Sequence, residues 1–256
     1  MRNFAQIRVH MRVLVQTIWA TIGIVLIAPF ASAGDFAEFR PIGFSSDGGV
    51  FAFEQFGIQD GSGFAYAERY YIDTANDNYL PGSPIRVVLE DENATVNDAR
   101  AVARSQANQI ETDSGATAEP GTIAAFSPPT EQGHDDAFLR YQSVMIVPQT
   151  YPGRMFSVEL SELSLPPPPM CADLGQTVAG FKLVMKENSG EPQSILFHAD
   201  QSIPSSRNCP ISYALAGAMT HLNPDGSTTH AILVLMRSVG FEGPNGRYLA
   251  VTKRIN

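Results

Sequence analysis

Residues 39–81 read FRPIGFSSDGGVFAFEQFGIQDGSGFAYAERYYIDTANDNYLP, and they set the architecture of the chain. Aromatic and β-branched residues occur there in three short runs, separated by turn residues. Asp47-Gly48-Gly49 lies between the first two runs, where glycine adopts positive φ without steric cost. The stretch therefore predicts three antiparallel strands joined by two turns.

Similar strand and turn signals continue toward the C-terminus. Further strands are predicted at residues 85–91, 123–126, 139–147, 154–163, 181–186, 193–198, 211–222 and 229–238. Residues 230–236, HAILVLM, are almost wholly apolar, which indicates a strand buried on both faces. We expect a mainly β fold of antiparallel meander sheets, arranged as a sandwich or as an incomplete propeller-like structure.

Residues 95–110 follow a helical period instead. The apolar positions that recur are Val96, Ala99, Val102, Ala103, Ala107 and Ile110. Thr95 and Asp98 have the spacing of a capping pair at a helix N-terminus. Because the apolar stripe consists largely of alanine, we expect an amphipathic helix that packs closely on a sheet as a cover.

The first 33 residues have the pattern of a secretory signal peptide. Three arginines precede an apolar run at residues 20–30, and Ala31-Ser32-Ala33 supplies the small residues of a cleavage site. The alternative is an uncleaved anchor, but the apolar run is shorter than the ~20 residues that a span needs. Translation from Met11 would still leave a complete signal.

Residues 34–256 are then expected to form one exported β-rich domain, periplasmic or secreted, with a possible sub-boundary at the four prolines 166–169. The whole chain has a net charge of −9, and the predicted signal contains arginines but no acid. An acidic chain lacks the basic surface that nucleic acids and anionic lipids require. We expect a protein or small-molecule partner, no nucleic acid, no membrane contact after cleavage and no cofactor.

The two cysteines, Cys171 and Cys209, both follow the predicted signal. In an oxidising compartment the simplest expectation for such a pair is one disulfide, worth about 4 kcal/mol on the chain-entropy model. The alternative is a free nucleophile or metal ligand, and no Cys-x-x-Cys element favours it.

Two resemblances go beyond these patterns. Residues 44–53 have the pattern Phe-Ser-x-Asp-Gly-x-x-x-Ala-Phe, which resembles one blade of TolB-like and WD40-like propellers. Residues 51–66, 205–213 and 240–252 resemble a bacterial family of predicted secreted proteins, domain of unknown function 2259. That resemblance implies export and assigns no catalytic residue.

A shorter likeness is internal. The sequence apolar–Gly–Phe, turn, aromatic strand occurs at residues 42–53 and again at residues 239–251. It is either a generic hairpin pattern or a repeat whose copies meet. We expect the two copies to lie near each other within one sheet.

The candidate site residues lie in two places. Asp60-Gly61-Ser62-Gly63 is a polar loop next to Tyr66, and its glycines let a ligand approach the backbone. A wide hairpin loop is the simpler interpretation of the same residues. His198 and Asp200 lie on one face of a predicted strand, as weak metal candidates or as ordinary polar surface.

Two functional hypotheses follow. The first is a non-enzymatic exported module that binds a protein or a small ligand, with Asp60, Gly61, Ser62, Gly63 and Tyr66 at its site. The alternative is an exported hydrolase that uses carboxylates such as Asp60 and Asp73, with His198. A cleft with two carboxylates about 5–10 Å apart would favour the hydrolase.

Overall fold

A computed structural model describes residues 34–131, 133–144, 154–175, 177–188 and 193–256. The predicted signal peptide, residues 1–33, lies outside the described residues. The described residues belong to one compact unit. Within the described part of the chain, no helix is long and apolar enough to cross a membrane.

The described residues form three antiparallel sheets. Sheet I contains β1 (Glu38–Phe44), β2 (Val50–Ile58), β3 (Ala65–Asp73), β4 (Asn78–Tyr79) and β5 (Ile85–Leu89). Helix α1 (Val96–Ser114) and β6 (Thr122–Phe126) follow. Sheet III contains β7 (Phe138–Gln142), β8 (Met155–Ser164), β9 (Ala179–Glu187) and β10 (Gln193–Ala199). Sheet II contains β6 with β11 (Pro210–Leu222), β12 (Thr228–Ser238) and β13 (Asn245–Ile255), in the order β13-β12-β11-β6.

Sheet II lies between the other two sheets. One apolar cluster joins it to sheet III and includes Phe156, Phe181 and Val234, while a second joins it to sheet I and includes Phe53 and Leu233. Neighbouring residues of β12 therefore point into different clusters, which confirms that this strand is buried on both faces. The prediction of a mainly β, sandwich-like fold is confirmed.

Helix α1 covers the outer face of sheet I, as predicted. It begins after Thr95, whose side chain accepts from the Asp98 N–H while the Asp98 carboxylate accepts from the Thr95 N–H. Ala99, Ala103 and Ala107 are fully buried against the sheet. Their small side chains allow the close approach that the sequence pattern predicted.

Buried charges also join α1 to sheet I. Arg69 of β3 is ion-paired with Glu111 of the helix and lies 3.6 Å from Glu54 of β2. The Tyr71 hydroxyl donates to Glu111 at 2.7 Å, and Arg100 of the helix reaches Glu54 at 2.9 Å. These pairs fix the position of the helix, because each buried charge depends on an opposite charge from the other element.

The predicted disulfide is confirmed. Cys171, in a 3-10 turn after β8, is bonded to Cys209, immediately before β11, and their Cα atoms are 5.6 Å apart. The bond fixes the start of β11 and the end of the loop that includes the turn Ser205–Arg207. This loop forms one wall of the site described below.

The two copies of the internal likeness lie close together, but not in one sheet. The first copy forms β1 and β2 of sheet I, whereas the strand of the second is β13 of sheet II. Gln55 of β2 reaches across and accepts from the Tyr248 N–H at 2.7 Å. Our expectation of a shared sheet was wrong, because the pattern identifies strands with an apolar face without specifying whether they pair edge to edge or pack face to face.

A candidate binding groove at the edge of the central sheet

The predicted polar loop lies in the turn between β2 and β3. The Asp60 carboxylate accepts from the Glu242 N–H at 3.0 Å, which ties this turn to the loop before β13. The Ser62 hydroxyl donates to the Gln59 side chain. A Cβ placed on Gly61 would touch the ring of Phe241, whereas one on Gly63 would meet nothing within 4 Å. Binding by this loop stays a prediction.

Tyr66, the fifth candidate residue, lies in the core. Its side chain is buried, and its hydroxyl donates to the Asp35 carboxylate at 2.9 Å. Arg247 of β13 forms an ion pair with the same carboxylate at 2.5 Å. Burial raises the pKa of Tyr66, so its hydroxyl remains protonated and serves as a structural donor.

The carboxylates of the hydrolase hypothesis are far apart. Asp60 lies in the turn before β3, and Asp73 ends this strand, so its nine residues, which span roughly 26 Å, lie between them. The Asp73 carboxylate accepts from the Ala75 N–H and the Asn76 side chain. Two carboxylates at this separation cannot act together on one bond.

His198 and Asp200 do lie together, at the end of sheet III. The His198 Nε2 atom is 2.9 Å from one Asp200 oxygen, and the other oxygen accepts from Arg207 at 2.6 Å and from the Phe181 N–H at 2.8 Å. Burial raises the pKa of Asp200, but these hydrogen bonds outweigh it and hold the value at about 2.

This arrangement leaves little of Asp200 for a metal. Both oxygens already accept from donors, and the second nitrogen of His198 lies 4.0 Å from the Asp77 carboxylate. Among the residues that the structure describes, no group of three or more His, Cys, Asp or Glu side chains is placed to hold a metal ion. The metal interpretation of His198 and Asp200 stays a prediction, and the contacts observed fit an ion-paired wall.

That wall borders a groove of about 670 Å³, to which all three sheets contribute. We call it the β13 groove. Its lining includes Glu68, Tyr70 and Arg86 of sheet I, His198 of sheet III, Arg207 of the disulfide-anchored loop, and Ala250 of β13. A volume of this size lies within the range of ligand clefts, roughly 300–1,000 Å³.

The floor of the β13 groove is the outer edge of β13. This strand pairs with β12 along one edge only, and side chains from sheet I cover parts of the other edge. Gln55 accepts from the Tyr248 N–H, and Asp77 accepts from the Thr252 N–H, each at 2.7 Å. The N–H of Ala250, between them, has no partner among the described residues.

Charges on the sheet I wall are neutralised within the wall. Glu68 accepts from Gln55 at 2.7 Å and from the Tyr70 hydroxyl at 2.6 Å, and it pairs with Arg86 at 3.2 Å. Burial, followed by the charge of Glu68, raises the pKa of Tyr70. Burial also raises the pKa of Asp77, against the donors from Thr252. The groove is therefore polar but carries no concentrated charge of one sign.

A second depression, of about 850 Å³, lies between the C-terminal half of α1 and the turns of sheet I. It is larger but more open, and its acidic side chains serve local structure. Asp47 accepts from Ser45 and the Gly49 N–H, while Asp113 accepts from Gln109. The β13 groove is the stronger candidate, because it combines a recessed floor with polar groups from three directions.

These features define a layered β-sandwich protein with a groove over one sheet edge. The chain belongs to the family described as "Predicted secreted protein (DUF2259)", which matches residues 52–254. This match confirms the resemblance found in the sequence and its implication of export as a family trait. The chain has no significant match among curated proteins or solved structures.

Sequence reasoning missed most of the groove. Gln55 gave a detectable signal in the sequence, since it is a polar residue inside an aromatic strand. In the structure it is almost completely buried. Asp77 lies in the turn after β3, where nothing in the sequence indicates its partner, and nothing about Ala250 distinguishes it from other strand alanines. Their juxtaposition depends on two sheets that lie face to face.

Proposed function

We propose that this protein is a non-enzymatic binding module of the cell envelope, in the periplasm or outside the cell, and that it holds its ligand or partner in the β13 groove. The observation that carries the proposal is a recessed floor in which the Ala250 N–H has no partner among the described residues, between walls whose charges are paired. Such a surface can recognise a ligand by hydrogen bonding and by complementary shape.

The contacts of His198 support binding rather than hydrolysis. A general base needs one ring nitrogen directed at the proton that it removes. Here one nitrogen faces Asp200 at 2.9 Å and the other faces Asp77 at 4.0 Å. The histidine is thus hydrogen-bonded to one carboxylate of the wall and lies next to a second.

A thermal-shift screen of the purified, disulfide-bonded protein tests the proposal. Divalent cations, sugars, cell-wall fragments and short acetylated peptides are the probes. A ligand present at 100 times its Kd should stabilise the folded state by about 2.7 kcal/mol. Tyr79→Ala removes a half-exposed ring from the groove lining and should reduce the shift.

Phe241→Ala is the matched control, because this ring is 80% exposed and lies outside the groove lining. It should leave the shift unchanged. Asp60→Ala tests the loop separately, and an unchanged shift there removes Asp60 from the binding hypothesis. The proposal fails if no probe stabilises the protein, or if Tyr79→Ala and Phe241→Ala respond alike.

A further inference from the structure

The outer edge of β13 has a short open window. The β12–β13 register is unbroken, so backbone groups of β13 alternate regularly between β12 and the groove. Since the N–H groups of Tyr248 and Thr252 point into the groove, those of Ala250 do so too. Ala250 offers one donor and one acceptor, and the Tyr248 C=O offers a second acceptor, all without partners among the described residues.

The same edge already pairs with an extended segment at Gly246, two residues before Tyr248. The Gly246 N–H donates to the Asp35 C=O at 2.8 Å, and the Ala37 N–H donates to the Gly246 C=O at 3.0 Å. Phe36 and Gly246 form a parallel bridge. The chain leaves this edge at β1 to join sheet I, so the pairing stops just before the open window.

We propose that the β13 groove binds an extended peptide segment, which adds to sheet II as a short fifth strand opposite Ala250. This inference rests on the proposed function and specifies its ligand. In antiparallel pairing, one peptide residue exchanges two hydrogen bonds with Ala250, and the residue two positions on donates to the Tyr248 C=O. Main-chain bonds of this kind provide affinity in other strand-addition complexes.

The two capped positions set the length of the paired segment. Tyr248 and Thr252 are four residues apart, about 13 Å along the strand. Their N–H groups are occupied by Gln55 and Asp77, so a peptide gains pairing mainly between them. We expect about three peptide residues to be held, with the flanking residues outside the window.

The groove walls indicate which side chains fit. Ala250 packs partly against the cluster between sheets I and II, so the peptide residue opposite it points toward sheet I. The methyl group of Ala250 leaves space for a large side chain there. Peptide side chains on either side point toward the wall of His198 and Arg207. We expect a preference for a large central residue with polar neighbours.

The test uses fluorescent pentapeptides that are acetylated and amidated, with the central residue varied over all types. Ala250→Pro removes the donor at a position where proline costs no pairing with β12. It should weaken the best peptide by about tenfold or more, because both hydrogen bonds at this position are disturbed. Ala250→Ser retains the N–H and should bind within about twofold of the natural chain.

Two further measurements keep the result interpretable. The Ala250 amide should exchange with solvent faster than the Val251 amide, which faces β12, and the bound peptide should protect it. An N-methyl group on the central peptide residue should abolish binding. Peptide affinity that is equal in Ala250→Pro, or an Ala250 amide already protected without peptide, overturns strand addition while the binding function stands. If no peptide binds but another probe shifts the melting temperature through Tyr79, only this inference fails.

Discussion

The buried histidine of sheet II should make the folded state less stable in mild acid. His230, the third residue of β12, is fully buried beneath sheet III. Its Nδ1 atom lies 2.8 Å from the Tyr141 hydroxyl, and its ring makes a T-shaped contact with the ring of Phe156, with ring centres 4.6 Å apart. Its Nε2 atom has no hydrogen-bond partner among the described residues. The site therefore holds a neutral imidazole.

The magnitude follows from the pKa. Burial, with a smaller contribution from the charge of Arg154, lowers the pKa of His230 from 6.5 to about 3. Above pH 6.5, His230 is unprotonated in both the folded and the unfolded state. Below pH 6.5, it becomes protonated in the unfolded state while it stays neutral in the folded state. Stability is therefore lost as pH falls, by about 1.4 kcal/mol per unit, or roughly 3 kcal/mol between pH 6.5 and 4.5.

Urea unfolding at pH 7.0 and pH 4.5 measures this loss. His230→Gln cannot titrate, so its difference in unfolding free energy between the two pH values should be smaller by roughly 3 kcal/mol. At pH 4.5 the aspartates with lowered pKa, such as Asp200, still contribute, since their unfolded value is 3.8. Tyr141→Phe removes one buried hydrogen bond and should lower the free energy of unfolding by about 1 kcal/mol at both pH values. It should keep the difference between the two pH values, because burial, and not this hydrogen bond, lowers the pKa of His230. An unchanged pH difference in His230→Gln would refute the reasoning.

Two more predictions concern the framework around the groove. Reduction of the Cys171–Cys209 bond, or the double substitution Cys171→Ser with Cys209→Ser, should lower the free energy of unfolding by about 4 kcal/mol in urea titrations. A loss below ~1 kcal/mol would show that packing, and not the disulfide, holds the loop. Arg69→Met should cost roughly 3–5 kcal/mol, because it removes the ion-pair partner of Glu111 and leaves Glu54 with Arg100 alone, whereas adding Glu54→Gln and Glu111→Gln should recover most of the loss. Equal stability of the single and triple variants would contradict that explanation.

Local structure was predictable where it depends on neighbours in sequence. Thr95 and Asp98 form the capping box that their spacing indicated, and α1 extends four residues beyond the predicted end to Ser114. Gly115 ends it in the left-handed region at φ +62°, a conformation that glycine adopts at little cost. The strands and the disulfide were predicted for similar reasons, since alternation, turn residues and cysteine count are all visible in one dimension.

Layer order and the groove were not predictable in this way. An apolar strand face indicates burial without indicating which sheet covers it. Residues 42–53 and 239–251 were therefore expected in one sheet, whereas they lie in two sheets that pack face to face. Asp77 illustrates the limit further. It has positive φ in a turn of sheet I, as a turn residue often does, yet its carboxylate caps the Thr252 N–H of another sheet. Such a contact is fixed only when the layers stack.

Exposed strand edges usually attract unwanted pairing, and proteins protect them with charges, bulges or covering segments. The edge of β13 is protected in this way at three positions, by residues 35–37 at Gly246, by Gln55 and by Asp77. Among the described residues, the Ala250 N–H is left open between these protected positions, and sheets I and III rise on both sides of it. The edge of a second folded copy would meet these walls first, whereas a single extended segment fits between them. The groove is therefore suited to select one unpaired strand, which argues that the opening at Ala250 is a binding feature.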